Sequence, residues 1–275
     1  MPTKIAVDFL PERLDSSKFR GATAVVIDVF RASTVILHAL ASKVERIVPC
    51  STVDEARTLA ETLRRTQPVG SNRDPVLLGG ERLGLPIEGF DLGNSPGDFT
   101  EAVCAGKTFV MTTSNGTKAM LACLAAGAQR VLVAGFVNLS ATARALAQPS
   151  LQPPRIVCAG SEGEVSLEDA VCAGAIIDRL QRLHGESAVV PGNDAARLAC
   201  LALARLRQEL NGVGRSPAPS EPPLASTLAL ALGSGLGGSR IRQIGLAADL
   251  IACCQVDRFD FLAELRDAAT GDEHD

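Results

Sequence analysis

The chain of 275 residues has no Trp, no Tyr, nine Phe and only three His. Aromatic residues make up 3% of the sequence, so it offers few rings for nucleobases to stack on. It has no long basic block, and its net charge is −4. Both features argue against a nucleic-acid partner. The missing Tyr removes one general acid, and His38, His184 and His274 are the only imidazoles. Catalysis in such a chain falls mainly to carboxylates, Arg, hydroxyls, amides and backbone N–H groups.

Long apolar runs are also absent. The longest uncharged stretch, Pro222–Ser239, is interrupted by Pro, Ser and Gly, so no membrane span is expected. The opening residues MPTKIAVDFLPERLD carry too short an apolar run for a signal peptide, which leads to the expectation of a cytoplasmic protein. The eight Cys (Cys50, Cys104, Cys123, Cys158, Cys172, Cys200, Cys253 and Cys254) form no Cys-x-x-Cys pair. Most lie among apolar residues, so buried, reduced thiols are expected.

What the sequence does have is alternation. Short β-branched runs are expected as strands at Ile5–Phe9, Ala24–Val29, Arg46–Pro49, Val76–Leu78, Thr108–Met111, Arg130–Ala134 and Arg155–Cys158. Ala/Leu-rich segments between and after them are expected as helices at Ala32–Ala41, Val53–Thr66, Pro96–Ala105, Gly116–Ala126, Leu139–Leu146, Leu167–Leu183, Asp194–Leu210 and near Ile241–Cys253. Apolar strands alternating with helices predict an α/β fold, three-layer α/β/α, around a mostly parallel central sheet. The first strand precedes a long loop, which leaves room for a mixed sheet. Residues 1–275 are read as a single α/β unit, with a Pro-rich loop at 215–223 and a helical C-terminal part. That part's uncharged, Ala/Leu-rich run is a candidate face for a homodimer.

Ala24–Pro49 lies without gaps over Thr108–Val133, with Asp28 on Thr112, Arg31 on Asn115 and Ser33 on Thr117. Each copy reads as a βαβ unit with a polar tip at the carboxyl end of its first strand. Open α/β sheets bind their ligands at that edge, and all such tips are expected on the edge of one sheet.

Four polar clusters fall where a strand or turn gives way to a helix. In VVIDVFRAST, Asp28 ends an apolar strand, and Arg31, Ser33 and Thr34 follow it. A strand-tip Asp can hold a metal or attack a substrate, and Arg31 can offer a bidentate fork to an anion at a helix N-terminus. In LLGGERLGLPIEGFDLGNSPGDF, Glu81, Arg82, Asp91 and Asn94 sit in a long Gly-rich loop. Its Ser95-Pro96-Gly97-Asp98 reads as a helix cap. In MTTSNGTKAM, the hydroxyls and amide around Asn115, Gly116 and Thr117 can form an anion nest. In CAGSEGEVSLEDAVCAG, Ser166 to Asp169 reads as a capping box, and Glu164, Glu168 and Asp169 can supply oxygens for a divalent cation. P-loop, dinucleotide-binding, zincin and nucleophile-elbow motifs are all missing. What remains is metal-assisted chemistry on a small anionic phosphorylated molecule.

In this order and spacing, VVIDVFRAST, GGERLGLPIEGFDLGNSP, TTSNGTKAM and CAGSEGEVSLEDAVCAG resemble the 2-phosphosulfolactate phosphatase (ComB) family, from about Ile5 to Leu183. The resemblance implies a Mg²⁺-dependent phosphatase that cleaves 2-phospho-3-sulfolactate to sulfolactate and phosphate, a reaction of coenzyme M biosynthesis. It carries over onto Asp28, Arg31, Glu81, Arg82, Asn94, Asn115 and Asp169. Ser33 and Ser114 stand where Thr is the expected residue, and both keep the hydroxyl. The expected roles follow. Asp28, Glu81 and Asp169 are the catalytic and metal-binding carboxylates. Arg31, Ser33, Thr34, Arg82, Asn94, Ser95, Asn115, Gly116 and Thr117 hold the substrate. Asp28 is either a metal ligand or the nucleophile. Two alternatives stay open: a phosphatase of the same fold for another phosphorylated 2-hydroxy acid, and a non-catalytic binder of small anions.

Overall fold

A computed structural model describes residues 2–66, 75–148, 152–213 and 224–266. The Pro-rich segment 215–223 and His274 lie outside the described residues. The strands are β1 (Thr3–Asp8), β2 (Thr23–Ile27), β3 (Arg46–Pro49), β4 (Val76–Arg82), β5 (Leu85–Pro86), β6 (Thr108–Thr112), β7 (Arg130–Ala134), β8 (Arg155–Cys158), β9 (Val189–Pro191) and β10 (Ala263–Leu265).

The α/β class is as expected, and the sheets are mixed but dominated by parallel pairs. The strands divide between two sheets, however, rather than sharing one. A six-stranded sheet runs β10-β7-β2-β8-β1-β9, and a four-stranded sheet runs β3-β6-β4-β5. β1 is parallel to its neighbours β8 and β9, so the antiparallel pairing comes from elsewhere. It comes from the edge strands β10 and β5, neither of which the sequence reading anticipated, because both are very short.

Alternating side chains explain the layers. Val25 and Ile27 of β2 and Leu132 of β7 point into one core with the helices Leu139–Leu146, Leu167–His184 and Asp194–Val213. Ala24 and Val26 of β2 and Val131 and Val133 of β7 point the other way. There they meet Phe109 and Met111 of β6 and the helices Ala32–Ala41 and Gly116–Ala125. Val110 of β6 and Val76 and Leu78 of β4 face a third core under the helix Val53–Arg65. The six-stranded sheet is thus the middle of an α/β/α sandwich, and the second sheet shares one of its helix layers. Period-two alternation of apolar residues on both faces is what burial on both faces requires.

The internal similarity takes a specific form. The first unit leaves the six-stranded sheet at β2 and enters the four-stranded one at β3; the second runs from β6 back to β7. The two helix N-termini meet: a Cβ on Gly116 would lie 2.6 Å from that of Ala32, its partner in the gapless overlay.

Two helix boundaries differ from expectation. Pro96–Ala105 resolves into a short 3₁₀ turn, Pro96–Asp98, and a single helical turn, Glu101–Cys104. Between them Phe99 leaves helical geometry and buries its ring 5.0 Å from that of Phe109. The expected Ile241–Cys253 helix is two helices, Leu236–Gln243 and Ala247–Cys253, parted at Gly245, whose φ is +83°. A further helix, Leu224–Leu232, precedes them. All eight Cys are free, seven of them buried, and burial pushes the Cys123 and Cys254 thiols up to about 12. Burial and a raised pKa keep such thiols protonated, in line with the expected buried, reduced state. Among the described residues no helix is long and apolar enough to cross a membrane.

Candidate active site

The polar tips of β2, β4 and β6 converge on one cleft between the carboxyl edges of the two sheets. Asp28, Arg31, Glu81, Asn94, Ser114 and Asn115 line it, together with Glu162, Gly237 and Arg240. Asp28 follows β2 directly. Its Oδ1 accepts the Ala32 N–H at 3.3 Å, at the start of the helix Ala32–Ala41. Its Oδ2 faces Gly116, the first residue of the other inter-sheet helix. A Cβ on Gly116 would stand 2.6 Å from that oxygen, so only glycine permits the approach. Burial, then the nearby Glu81 carboxylate, raises the Asp28 pKa from the usual carboxylate range to about 7.

Glu81 is held from the opposite sheet. Its Oε1 accepts the Ser114 N–H at 2.7 Å, and its Oε2 accepts the Gly84 N–H at 2.7 Å and the Ser114 hydroxyl at 3.2 Å. Asn94 is buried in the same cleft, and its Oδ1 has no hydrogen-bond partner. Asn115 also lines it, with Oδ1 accepting the Glu162 N–H at 3.3 Å.

Arg31 reaches the cleft but is engaged elsewhere as well. Its guanidinium donates to Asp249 Oδ2 at 2.7 Å, to the Gly84 carbonyl at 2.7 Å and to Ser95 Oγ at 3.2 Å. Ser95 in turn donates to Asp249 at 2.8 Å and makes no helix cap. Ser33, Thr34 and Thr117 are turned to the backbone. Ser33 Oγ accepts the Asp28 N–H at 2.9 Å, Thr34 Oγ1 donates to the Val29 carbonyl at 3.1 Å, and Thr117 Oγ1 accepts the Thr113 N–H at 3.0 Å. These hydroxyls shape the strand tips that present Asp28 and Ser114. Arg82 is not among the residues lining the cleft; it donates to the Glu81 carbonyl at 2.7 Å and to Thr112 Oγ1 at 2.8 Å.

Asp169 stands behind Asp28 rather than in the cleft. Its oxygens accept the Val29 N–H at 2.9 Å and the Gly160 N–H at 3.2 Å, tying the tip of β2 to the start of the helix Leu167–His184. Burial, then Asp28, raises its pKa well above the ordinary value. Ser166 makes no capping bond with its side chain, and Glu164 is exposed. Glu168 is buried with Oε2 unpartnered, and burial, with Asp28 also contributing, lifts its pKa to about 7.

Among the described residues no three His, Cys, Asp or Glu side chains are arranged to hold a metal ion. Of the carboxylates lining the cleft, Glu162 is paired with Arg240, which leaves Asp28 and Glu81, with the buried, unpartnered amide oxygen of Asn94 beside them. This set suits Mg²⁺, a hard cation that takes one or two carboxylates and fills its remaining positions with water and phosphate oxygens. Asp169 is not among the residues lining the cleft, so it is not part of this set.

A family model described as 2-phosphosulpholactate phosphatase matches residues 8–217. The chain belongs to that family. By this membership it is a phosphatase, a phosphoric monoester hydrolase. Three relatives bear the name "Probable 2-phosphosulfolactate phosphatase". The one from Clostridium acetobutylicum is 39% identical over 185 residues, which is 66% of this chain and 74% of the relative. The one from Caldanaerobacter subterraneus subsp. tengcongensis is 32% identical over 92% of this chain and 91% of its own length. The one from Symbiobacterium thermophilum is 35% identical over 90% and 92%. The family model's match ends before the helices that bring Gly237, Arg240 and Asp249 to the cleft and its surroundings. None of the three was expected as a site residue from the sequence, although Asp249 lies in GLAADLIACCQVD, which faintly resembles the family. The local signal for Gly237 and Arg240 is a basic, Gly-rich segment, GGSRIRQ, with nothing in it to identify a partner.

Proposed function

We propose that the chain hydrolyses 2-phospho-3-sulfolactate to 3-sulfolactate and phosphate with the help of Mg²⁺, the type of reaction found in coenzyme M biosynthesis. The observation that carries this reading is the meeting of Asp28 and Glu81 across two sheets, at the N-terminus of the helix Gly116–Ala125. The printed names of the relatives support the substrate. The positive N-terminal end of that helix faces the phosphate oxygens, with Asn115 beside them. Asp28 makes the displacement: a carboxylate oxygen bonds to phosphorus, and the bond from phosphorus to the 2-oxygen of the acid breaks. The leaving oxygen takes a proton from solvent, and a water then cleaves the aspartyl-phosphate. Glu81 accepts the Ser114 and Gly84 N–H groups, fixing the turns that follow β6 and β4. Asp28, Glu81 and Asn94 would hold Mg²⁺, which would neutralise charge on the phosphoryl oxygens.

The test is phosphate release from a panel of phosphorylated 2-hydroxy acids, with and without EDTA. The expected result is preference for phosphosulfolactate and loss of activity in EDTA that Mg²⁺ restores. Preference for another acid would replace the substrate, and full activity in EDTA would remove the metal. Rapid quench should show a burst of free 2-hydroxy acid ahead of phosphate, and inversion rather than retention of configuration at a chiral phosphorus would exclude the aspartyl-phosphate.

A further inference from the structure

Two Arg side chains line the cleft, and they are held very differently. Arg31 is 2% exposed and fixed by Asp249, Ser95 and Gly84. Arg240 projects from the helix Leu236–Gln243 with its side chain 35% exposed. Its ion pair, 2.6 Å long, goes to Glu162, whose side chain is 49% exposed. Glu162 is in the tight turn Ser161–Glu164, with φ at +54°. A pair this open to solvent contributes little to stability, so an entering anion can displace Glu162 from Arg240 at small cost.

The space around the pair points the same way. With the pair closed the cleft holds about 40 Å³, room for a few waters. A neighbouring cavity of about 270 Å³ shares Leu83, Ser114, Asn115 and Glu162 with it, and Lys118 lines its far side. Glu162 is therefore part of the wall between the two.

We infer that Arg240 selects substrates with a second anionic group, exchanging Glu162 for the sulfonate or carboxylate of a phosphorylated 2-hydroxy acid as the cleft opens into the neighbouring cavity. This rests on the phosphatase reading above. A molecule bearing only a phosphate gives Arg240 nothing to exchange. Discrimination follows from the charge-assisted hydrogen bonds that Arg240 makes to the second anion.

The test compares phosphosulfolactate with 4-nitrophenyl phosphate, which lacks a second anion. Arg240→Gln should lower the ratio of their kcat/KM values by about 10- to 100-fold, mostly through the KM of phosphosulfolactate. Arg240→Lys should recover part of the ratio, and Glu162→Gln should raise it. An equal fall for both substrates, or an unchanged ratio, overturns the inference. Calorimetric binding of 3-sulfolactate, which has no phosphate, provides a readout independent of turnover. It should weaken at least about 10-fold in Arg240→Gln, and equal affinity in both proteins overturns the inference. Should the wild type hydrolyse no phosphate ester, the phosphatase reading fails, while the binding result still decides the role of Arg240.

Discussion

Arg31 donates a 2.7 Å hydrogen bond to Asp249, a residue 218 positions further along the chain. This pair ties the tip of β2 to the last helices, and both side chains are buried. Taking away one member of a buried pair leaves an unpaired charge away from water, which costs about 3–5 kcal/mol. Asp249→Ala should therefore lower the unfolding free energy by about 3 kcal/mol in urea titrations. The double variant Arg31→Met/Asp249→Leu should regain much of that loss. Wild-type stability in Asp249→Ala would show that the pair does not hold the fold together.

Asp28→Asn tests the chemistry. It should reduce phosphate release at least about 100-fold while the protein stays folded. It should also change the response to pH. Because burial and Glu81 raise the Asp28 pKa to about 7, its ionised form is disfavoured in the native state. The stabilisation this represents is complete below the unfolded carboxylate range and is lost as pH rises through about 7. In EDTA, the Tm of the wild type should fall more steeply between pH 5 and 8 than that of Asp28→Asn. Parallel curves would contradict the raised pKa.

Gly116→Ala places a methyl group 2.6 Å from both Asp28 Oδ2 and Ala32 Cβ. Helix propensity alone favours Ala over Gly by about 1 kcal/mol, so any loss of stability must come from the contact. A destabilisation of about 1–3 kcal/mol is expected, together with a larger fall in kcat than in stability would explain. A more stable, fully active Gly116→Ala would mean that the two helix N-termini have room to move apart.

His38 lies in the first inter-sheet helix with Nε2 unpartnered, its ring edge-on to Phe259 at 5.1 Å. Burial, with Arg258 adding to it, lowers its pKa to about 4. Its neutral form contributes stability above the unfolded value of about 6.5, and this is lost as pH falls towards about 4. Allowing for solvent screening, the loss between pH 7 and 5 should be on the order of 1 kcal/mol. His38→Leu should flatten that part of the stability curve, and an unaltered acid limb would rule His38 out.

Much of the fold was legible because local pattern and tertiary environment agree. The edges of β3, β7 and β8 and of the helices Ala32–Ala41 and Leu139–Leu146 fall where apolar runs and turn residues predict them. The short strands β5, β9 and β10 were not legible, since two or three residues carry no period and are held by the sheet they join. The polar clusters marked Asp28, Glu81, Asn94 and Asn115, and these do share a cleft. Capping patterns misled at Ser95 and Ser166, because a buried ion pair claims the first and the second makes no cap.

The sequence by itself determined the α/β class, the strand-tip positions of the polar residues and the absence of His from the polar clusters. It did so because periodicity and residue chemistry are local properties. Only the tertiary structure decided that the tips belong to two sheets facing one cleft, and that Asp169 supports Asp28 from behind. It also decided that Asp249 and Arg240 reach that region from the last helices. These relationships join residues far apart in the chain, and they exist only once the burial of both faces of each sheet has set the helices in place.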